Sequence, residues 1–343
     1  MTNGSRRARL GRKIIAPALA VVVLAVGAHL WLNTNLFGDD DVCGGLVSAD
    51  TAGDVFSHSG RISDRDGLDD RPGDRLAFTC RVETSSFLPG ADDEHLTISA
   101  TRERGDFPFT DDGRWPNPAT MSFFPDGDTD GSGATGAIGS DHGWVLLPDA
   151  CTTADGPAII EGYAPEGSDP VRVARLLTEV ANKAAERADC AAERPLTAPT
   201  ALTSAPKARQ VDAGTVCGLR GLRFPGPDGV TGARETVQDG TGPTWACAVH
   251  DYATYTVTQE PHIVAGIRSS SGYEEQPRVA GHQVSGFDPQ HVVADCAGTP
   301  TYFSLAAGRD YLSALEGPGA PRLGELFENF VDVAEERFGC TAP

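Results

Sequence analysis

Two segments of the chain show the clearest helical pattern. In residues 173–190, and again in 323–340, apolar residues recur at steps of three and four, so one stripe of each segment is apolar. A shift of 150 positions aligns the two stripes and places Leu177 opposite Phe327. The pattern predicts one amphipathic helix at each place, with its apolar stripe packed against a core.

Apolar and polar residues alternate with the two-residue period of a strand at several places in each half. In the first half this pattern predicts strands at 76–83, 95–101, 144–147 and 158–163. In the second half it predicts strands at 245–250, 255–259, 263–268 and 301–305. A weakly helical segment, 50–56, opens the first half. We therefore expect an α+β fold in which each half is an antiparallel sheet covered by its C-terminal helix.

The cysteines reveal that the two halves are copies of one unit. Each half opens with a Cys-Gly pair, and each second cysteine has an aromatic residue two positions before it and a valine two positions after it. Each fourth cysteine ends the amphipathic helix. The eight cysteines form two sets in the same order: Cys43, Cys80, Cys151 and Cys190, then Cys217, Cys247, Cys296 and Cys340. This internal repeat is the most specific signal in the sequence.

A segment rich in Pro, Ala and Thr, 195–211, separates the two copies and has the composition of an exposed linker. We predict one domain at 42–194 and a second at 212–343.

An even number of cysteines without a close pair favours disulfides over zinc, which usually needs ligands close together in sequence. If the bonds stay within each copy and the copies are equivalent, three pairings are open. The first and second cysteines are 37 and 30 residues apart, the third and fourth 39 and 44, and the second and third 71 and 49. The length of a segment can vary more easily between copies when no disulfide closes that segment into a ring. We therefore favour the pairs Cys43–Cys80, Cys151–Cys190, Cys217–Cys247 and Cys296–Cys340, and the other two pairings stay open.

The N-terminal residues have the pattern of a membrane segment. Residues 14–32 are 19 residues without a formal charge, and five cations precede them. We predict a transmembrane helix or uncleaved signal anchor at 14–37, with a basic cytoplasmic segment at 1–13 and the domains outside the plasma membrane. A cleaved signal peptide with its cut at Ala28 is the alternative.

The charge distribution excludes one class of partner. The chain carries 28 Lys and Arg against 48 Asp and Glu, a net charge of -20, and five of its cations precede residue 14. The remainder is therefore strongly acidic and repels phosphate backbones, so we predict no nucleic-acid binding.

Three carboxylates at alternate positions, Asp126, Asp128 and Asp130, match the opening of a calcium loop. The match ends early, because Ala137 stands at the twelfth position in place of a bidentate Glu. Calcium is therefore a weak hypothesis beside that of an acidic, glycine-rich loop, and no other cofactor is predicted.

No motif in the sequence fixes a reaction. A Gly-x-Ser-x-Gly elbow and an HExxH pair are both absent from the sequence, and the histidines do not fall in matching places in the two copies. The sequence favours a binding or interaction module, whose partner is an envelope protein or a small ligand. An extracellular hydrolase using the longer insert between Cys80 and Cys151 is one alternative, and a purely structural envelope protein is another.

The chain resembles a group of actinobacterial envelope proteins of the Streptomyces type, whose functions are uncharacterised. Its 25 Arg against 3 Lys, with abundant Ala, Gly, Asp and Pro, has the composition of such high-GC organisms. The cationic start, the single apolar span and the paired openings at Cys43 and Cys217 extend the resemblance over the whole architecture. The resemblance implies a membrane-anchored extracellular protein with two four-cysteine domains, and it implies no catalytic residues.

Overall fold

The computed structural model describes most of the chain, with several short gaps. The described residues are 20–31, 33–36, 38–85, 93–109, 114–125, 132–154, 156–212, 214–226, 230, 232–238, 242–250 and 252–340. Four antiparallel sheets, two of them large, account for most of the regular structure in these ranges.

The N-terminal prediction is corrected first. No helix in the described part of the chain is long and apolar enough to cross a membrane. Residues 20–31 of the predicted span are helical in the described part of the chain. Residues 14–19, 32 and 37 of the predicted span lie outside the described residues. The predicted transmembrane helix at 14–37 is therefore wrong, and so are the fold class that included it and the single-pass plasma-membrane localisation.

The first half forms a two-stranded hairpin and a seven-stranded sheet. The hairpin consists of β1 (Asp41–Val42) and β2 (Val47–Ser48), and a short helix, α1 (Ala49–Gly53), follows it. The sheet strands are β3 (Arg61–Arg71), β4 (Asp74–Ser85), β5 (Glu94–Arg102), β6 (Ser122–Phe123), β7 (Gly136–Ile138), β8 (His142–Leu146) and β9 (Ala158–Tyr163). Their spatial order is β3-β4-β5-β9-β8-β7-β6. Helix α2 (Pro170–Arg187) covers one face of this sheet.

The second half repeats this topology. Its sheet strands are β10 (Ala208–Gln210), β13 (Arg234–Val237), β14 (Thr244–Val249), β15 (Ala253–Thr258), β16 (Glu274–Val279), β17 (His282–Asp288), β18 (His291–Cys296) and β19 (Thr299–Ala307). Their spatial order is β10-β13-β14-β15-β19-β18-β17-β16. Apart from the additional edge strand β10, this order is the same as that of the first sheet. A hairpin of β11 (Thr215–Val216) and β12 (Leu219–Arg220) corresponds to β1 and β2. The helices are α3 (Pro261–Ser269), α4 (Arg309–Leu315) and α5 (Leu323–Phe338).

One predicted strand of the second half is a helix. Residues 263–268 lie in α3, where Pro261 occupies the first turn. Ile263, Val264 and Ile267 are buried together, and their spacing brings them to one face of a helix rather than to one face of a strand. A proline at the first helical position and this spacing together favour the helix.

The disulfide bonds repeat as well. The structure joins Cys43–Cys80, Cys151–Cys190, Cys217–Cys247 and Cys296–Cys340, so the prediction that the cysteines form disulfides is confirmed. These are the pairs that the loop-length comparison favours. Cys43 and Cys217 both adopt left-handed backbone conformations, with φ of 57° and 59°. Their N–H groups donate to Asp64 Oδ2 at 2.5 Å and to Glu235 Oε2 at 2.7 Å, so one carboxylate stabilises each turn.

The two helices cover equivalent faces of the two sheets. Buried residues of α2, among them Leu177 and Val180, pack with the apolar residues of β4, β5, β8 and β9. In the second half Phe330 of α5 lies 4.9 Å from the Tyr255 ring and 6.4 Å from the Trp245 ring, measured between ring centroids. Each half therefore has its own core between sheet and helix.

A third core joins the halves through the faces that the helices leave uncovered. Trp144 and Ile159 of the first sheet share it with Ile263 and Ile267 of α3 and with Tyr302 of β19. The segment predicted as a linker packs along the surface of the first half. There Thr197 N donates to Ser132 O, and Thr203 N donates to Phe123 O. The predicted boundaries at 42–194, 195–211 and 212–343 stay a prediction, but the two copies meet through buried apolar surface.

Candidate binding groove

A groove of about 820 Å³ lies between a loop of the first half and the second sheet. Residues 115–118 of the first half form one wall. The floor is the face of β14, β15 and β19 that α5 does not cover. Tyr252, Arg309 and Asp310 form the rim on the far side. Because wall and floor come from different halves, the groove exists only where the two copies meet. We refer to this site as the groove.

The floor consists of small side chains on neighbouring strands. Thr254 pairs with Ala306 across β15 and β19, and Thr256 pairs with Ser304. These side chains point away from α5, because the intervening Tyr255 lies in the core beneath that helix. All three floor strands are fully described and lie inside the sheet, so ladder bonds use most of their main-chain groups, although β18 pairs with β19 only as far as Ser304. The floor therefore presents hydroxyl and methyl groups to a ligand.

The wall is fastened to the floor by hydrogen bonds between side chains and loop. Asn117 Nδ2 donates to Thr254 Oγ1 at 2.6 Å, and Asn117 Oδ1 accepts from Ala119 N at 2.9 Å. Gln238 Nε2, from the second half, donates to the carbonyl of Pro118 at 3.1 Å. Two prolines flank Asn117 and restrict the backbone of the loop. The wall is therefore a preformed surface.

Behind the wall, two buried carboxylates of the first half are bridged by one arginine. Glu103 Oε2 accepts from Trp115 Nε1 at 3.1 Å, and Glu103 Oε1 accepts from Thr101 Oγ1 at 2.8 Å. Arg114 forms an ion pair with Glu103, and its Nη2 lies 3.1 Å from Glu161 Oε2. The side chains of Glu103 and Glu161 are 6% and 5% exposed, whereas that of Arg114 is 42% exposed. The guanidinium therefore closes the two carboxylates off from water.

Stacked rings complete this arrangement, which we call the polar cluster: Glu103, Arg114, Trp115, His142, Glu161 and Tyr163. Glu161 Oε1 accepts from the Tyr163 hydroxyl at 2.9 Å, and His142 Nε2 lies 2.8 Å from the same oxygen. The His142 ring stacks on Tyr163 at 4.2 Å and on Trp115 at 5.0 Å between centroids. Arg114 lies 4.8 Å from the centre of the Trp115 ring. The cluster thus fixes the Trp115 indole of the wall. Glu103 accepts from its N–H, and His142 and Arg114 contact its ring.

The electrostatics of the cluster favour a structural role over acid catalysis. Burial acts to raise the pKa of Glu161, but the hydrogen bonds from His142 and Tyr163 and the charges of His142 and Arg114 outweigh it, so this pKa is below its ordinary value. Burial and the bond to Glu161 raise the pKa of Tyr163 to about 12. A carboxyl group that acts as a general acid needs a raised pKa instead. Glu161 is therefore held as an ionised partner for its neighbours.

The groove occupies the position in the second half that the polar cluster occupies in the first. The two sheets can be aligned on their equivalent cysteines, Cys80 of β4 and Cys247 of β14, and followed across the paired strands. In this register Glu161 of β9 corresponds to Ser304 of β19. Tyr163 likewise corresponds to Ala306. The second copy thus has a hydroxymethyl and a methyl group where the first has a carboxylate and a phenol, and this difference opens the groove.

The residues predicted as a calcium site, Asp126, Asp128 and Asp130, lie outside the described residues. Within the described part of the chain, two groups of metal-ligating residue types come together: Cys43, Asp64 and Cys80, and their equivalents Cys217, Glu235 and Cys247. All four of these cysteines are in disulfides. Their sulfur atoms are therefore not thiolates, and the two carboxylates serve the cysteine N–H groups described above.

Sequence reasoning missed both the groove and the polar cluster. Glu103 and Glu161 are far apart along the chain and meet only because β5 pairs with β9. One signal could have pointed to the cluster, since the longer insert between Cys80 and Cys151 contains Glu103, Arg114 and His142. The floor gave a weaker signal, the run of alternate threonines in β15.

Comparisons with protein-family models, with curated proteins and with solved structures found no match to this chain. The functional interpretation therefore depends on the geometry of the groove and of the polar cluster.

Proposed function

We propose that the protein is an extracellular binding protein whose ligand lies in the groove. Four disulfides suit an oxidising compartment outside the cell. A volume of about 820 Å³ falls within the usual range for small-molecule sites, roughly 300–1,000 Å³. The wall is held in place before any ligand arrives, which lowers the entropic cost of binding.

One observation carries this proposal: the two copies differ where the groove lies. The face of the duplicated sheet that Glu161 and Tyr163 fill in the first half is left open by Ser304 and Ala306 in the second. The groove is open to solvent, so it is not an enclosed packing void, and a ligand can enter it. A concave, partly polar surface at this position is better explained by a ligand.

Catalysis is the less supported alternative. The insert between Cys80 and Cys151, where an enzymatic site was expected, contains Glu103, and its Arg114 and His142 contact Glu161, which follows Cys151. Arg114 and the stacked His142 ring neutralise and cover these two carboxylates, however, and the lowered pKa of Glu161 opposes proton donation. Binding of a ligand at two separate sites, one on each of two tethered domains, is also less supported, because the wall and the floor of the groove belong to different halves.

The proposal can be tested by filling the groove with the residue of the first copy. Ala306→Tyr places a phenol on the floor, and Ala192→Tyr places one on the exposed surface outside the groove as a matched control. Ligand-observed NMR with a mixed library of small neutral and charged compounds should find binders of the wild type and of Ala192→Tyr. Ala306→Tyr should lose them. Binders that are retained by Ala306→Tyr, or a library without any binder, would contradict the proposal.

A further inference from the structure

We infer that the ligand of the groove is an uncharged saccharide. This inference rests on the proposed binding function and specifies its ligand class. Three features of the groove support it: the lack of free main-chain partners in its floor, its charge, and the combination of hydroxyl groups with apolar faces.

The floor disfavours an extended peptide. Peptides that bind to sheets usually add a strand to a free edge, where main-chain hydrogen bonds supply most of the affinity. Here β14, β15 and β19 are interior strands, and β13 and β18 pair with the outer sides of β14 at 247–249 and of β19 at 299–304. A peptide lying in the groove would leave most of its own N–H and C=O groups without protein partners, which is costly on burial. The ligand must be recognised by side chains instead.

The charge of the groove disfavours an ionic ligand. Ser304 stands where the first copy has Glu161, so the carboxylate that attracts Arg114 in the first half has no counterpart in the floor. Among the described lining residues, the side chains that can carry a charge near neutral pH are Arg309, Asp310 and His250. Arg309 and Asp310 are adjacent at the rim and offset each other, and His250 Nε2 lies 3.0 Å from Thr236 Oγ1, which is not part of the lining. The net charge of the whole chain, -20, opposes the approach of anions. These features disfavour an anion, and a cation would find no carboxylate on the floor, so an uncharged ligand suits the groove better.

The remaining chemistry matches a sugar ring. The Thr254 hydroxyl accepts from Asn117 and keeps its own proton to donate to a ligand oxygen. Apolar surfaces of Pro118 and Tyr252 line the same space. A pyranose has hydroxyl groups around its edge and C–H groups on its faces, so it can use both kinds of surface at once. Sites of this type combine an apolar lining with a few oriented polar groups.

The test uses the full-length protein and defined probes. Isothermal titration is carried out with neutral trisaccharides of glucose, mannose, galactose and N-acetylglucosamine, with a uronic acid trisaccharide, and with the capped peptide acetyl-Ala-Pro-Thr-Ala-amide. The variants are Thr254→Val, which removes the hydroxyl and with it the acceptor of Asn117, Thr254→Ser, which keeps both, Ala306→Tyr and the control Ala192→Tyr. Thermal melting of each variant verifies that it is folded.

At least one neutral trisaccharide should bind. Thr254→Val should weaken that binding about ten-fold, as expected for one lost hydrogen bond, Thr254→Ser should retain it, and Ala306→Tyr should abolish it. The inference is overturned if no neutral saccharide binds, if the peptide or the uronic acid binds better, or if Ala306→Tyr has no effect. Peptide or uronic acid binding that Ala306→Tyr abolishes would overturn the saccharide but keep the groove. Absence of any binding sensitive to Ala306→Tyr would overturn both.

Discussion

At the scale of single residues, the polar cluster shows how buried charge is used to position one side chain of the wall. Arg114 forms ion pairs with the carboxylates of Glu103 and Glu161. Glu103 in turn accepts a hydrogen bond from the indole N–H of Trp115. Glu161, whose side chain is 5% exposed, keeps a pKa below its ordinary value because of such partners. None of these contacts follows from sequence spacing, because each partner comes from a different strand or loop and depends on the sheet pairing.

Replacing Glu161 by Gln should reduce the free energy of unfolding at pH 7 by about 1–3 kcal/mol, because Arg114 and His142 lose a charged acceptor. The pKa of Glu161 in the folded protein is below its ordinary value of 4.5. Its stabilising contribution is therefore present above that value and is lost as the pH falls through the folded pKa. Urea unfolding at pH 7 and at pH 4 should show a smaller difference between wild type and variant at the lower pH.

The matched control is Glu166→Gln, which removes the same charge from an exposed loop position. This variant should unfold like the wild type at both pH values, since surface charges of this kind contribute little. An equal loss for the two variants would show that net charge, and not the polar cluster, explains the effect.

At the scale of elements, the sequence pattern correctly predicted the helices and strands that bury one face against the core of their own half. It failed for an element whose conformation depends on contacts between the two halves. The stripes of α2 and α5 and the alternation in β4, β5 and β9 each reflect a single core that lies directly beneath them. Residues 263–268 were expected as a strand but form part of α3, which is buried between the two sheets. Ile263, Val264 and Ile267 already have helical spacing, but the segment is short enough to be taken for a strand, so Pro261 in the first turn was the better guide.

An ion pair between α3 and the turn at Cys151 should make the stability of the interface between the halves pH-dependent. His262 Nδ1 lies 3.0 Å from Asp149 Oδ1. The hydrogen bond to Asp149 raises the pKa of His262, and the same bond lowers the pKa of Asp149. The histidine contribution is complete below its unfolded value of 6.5 and is lost as the pH rises through the folded pKa. The aspartate contribution is present above 3.8 and is lost as the pH falls.

His262→Asn should therefore lower the melting temperature most between about pH 4 and pH 6.5 and least at pH 9, with a free-energy effect below about 1 kcal/mol because both side chains are partly exposed. His95→Asn, which changes a histidine within the first sheet, serves as the control. A His262→Asn effect that is equally large at pH 5.5 and at pH 9 would exclude the ion pair as its cause.

At the scale of the whole molecule, the cysteines predicted the duplication, but not how the two copies join. The repeat was visible because each copy must close the same two disulfides. The third core, which joins the halves, could not be predicted from the sequence. Trp144, Ile263 and Tyr302 each have the sequence pattern of a residue buried in the core of its own half. Which face meets the other copy depends on three-dimensional packing. The groove is a consequence of that packing, and so it was also beyond the reach of the sequence pattern.

The shared core predicts that the halves stabilise each other. Expressed separately, residues 42–194 and 212–343 would each expose part of the apolar surface that now surrounds Trp144 and Tyr302. Each isolated half should melt at a lower temperature than the intact protein and bind a hydrophobic dye, and mixing the halves should reverse both changes. If each half melts at the temperature of the intact chain and stays monomeric in the mixture, the shared core contributes little.

The central claim, that a ligand occupies the groove, is tested most directly by NMR of the alanine methyl groups during titration with the best binder. Ala248, Ala306 and Ala307 line the groove, whereas Ala174 and Ala181 lie on the buried face of α2 in the first half. We expect chemical-shift changes at the groove alanines that saturate with ligand concentration, and unchanged shifts on α2. Changes on α2 with unchanged groove alanines would place the ligand elsewhere and contradict the account.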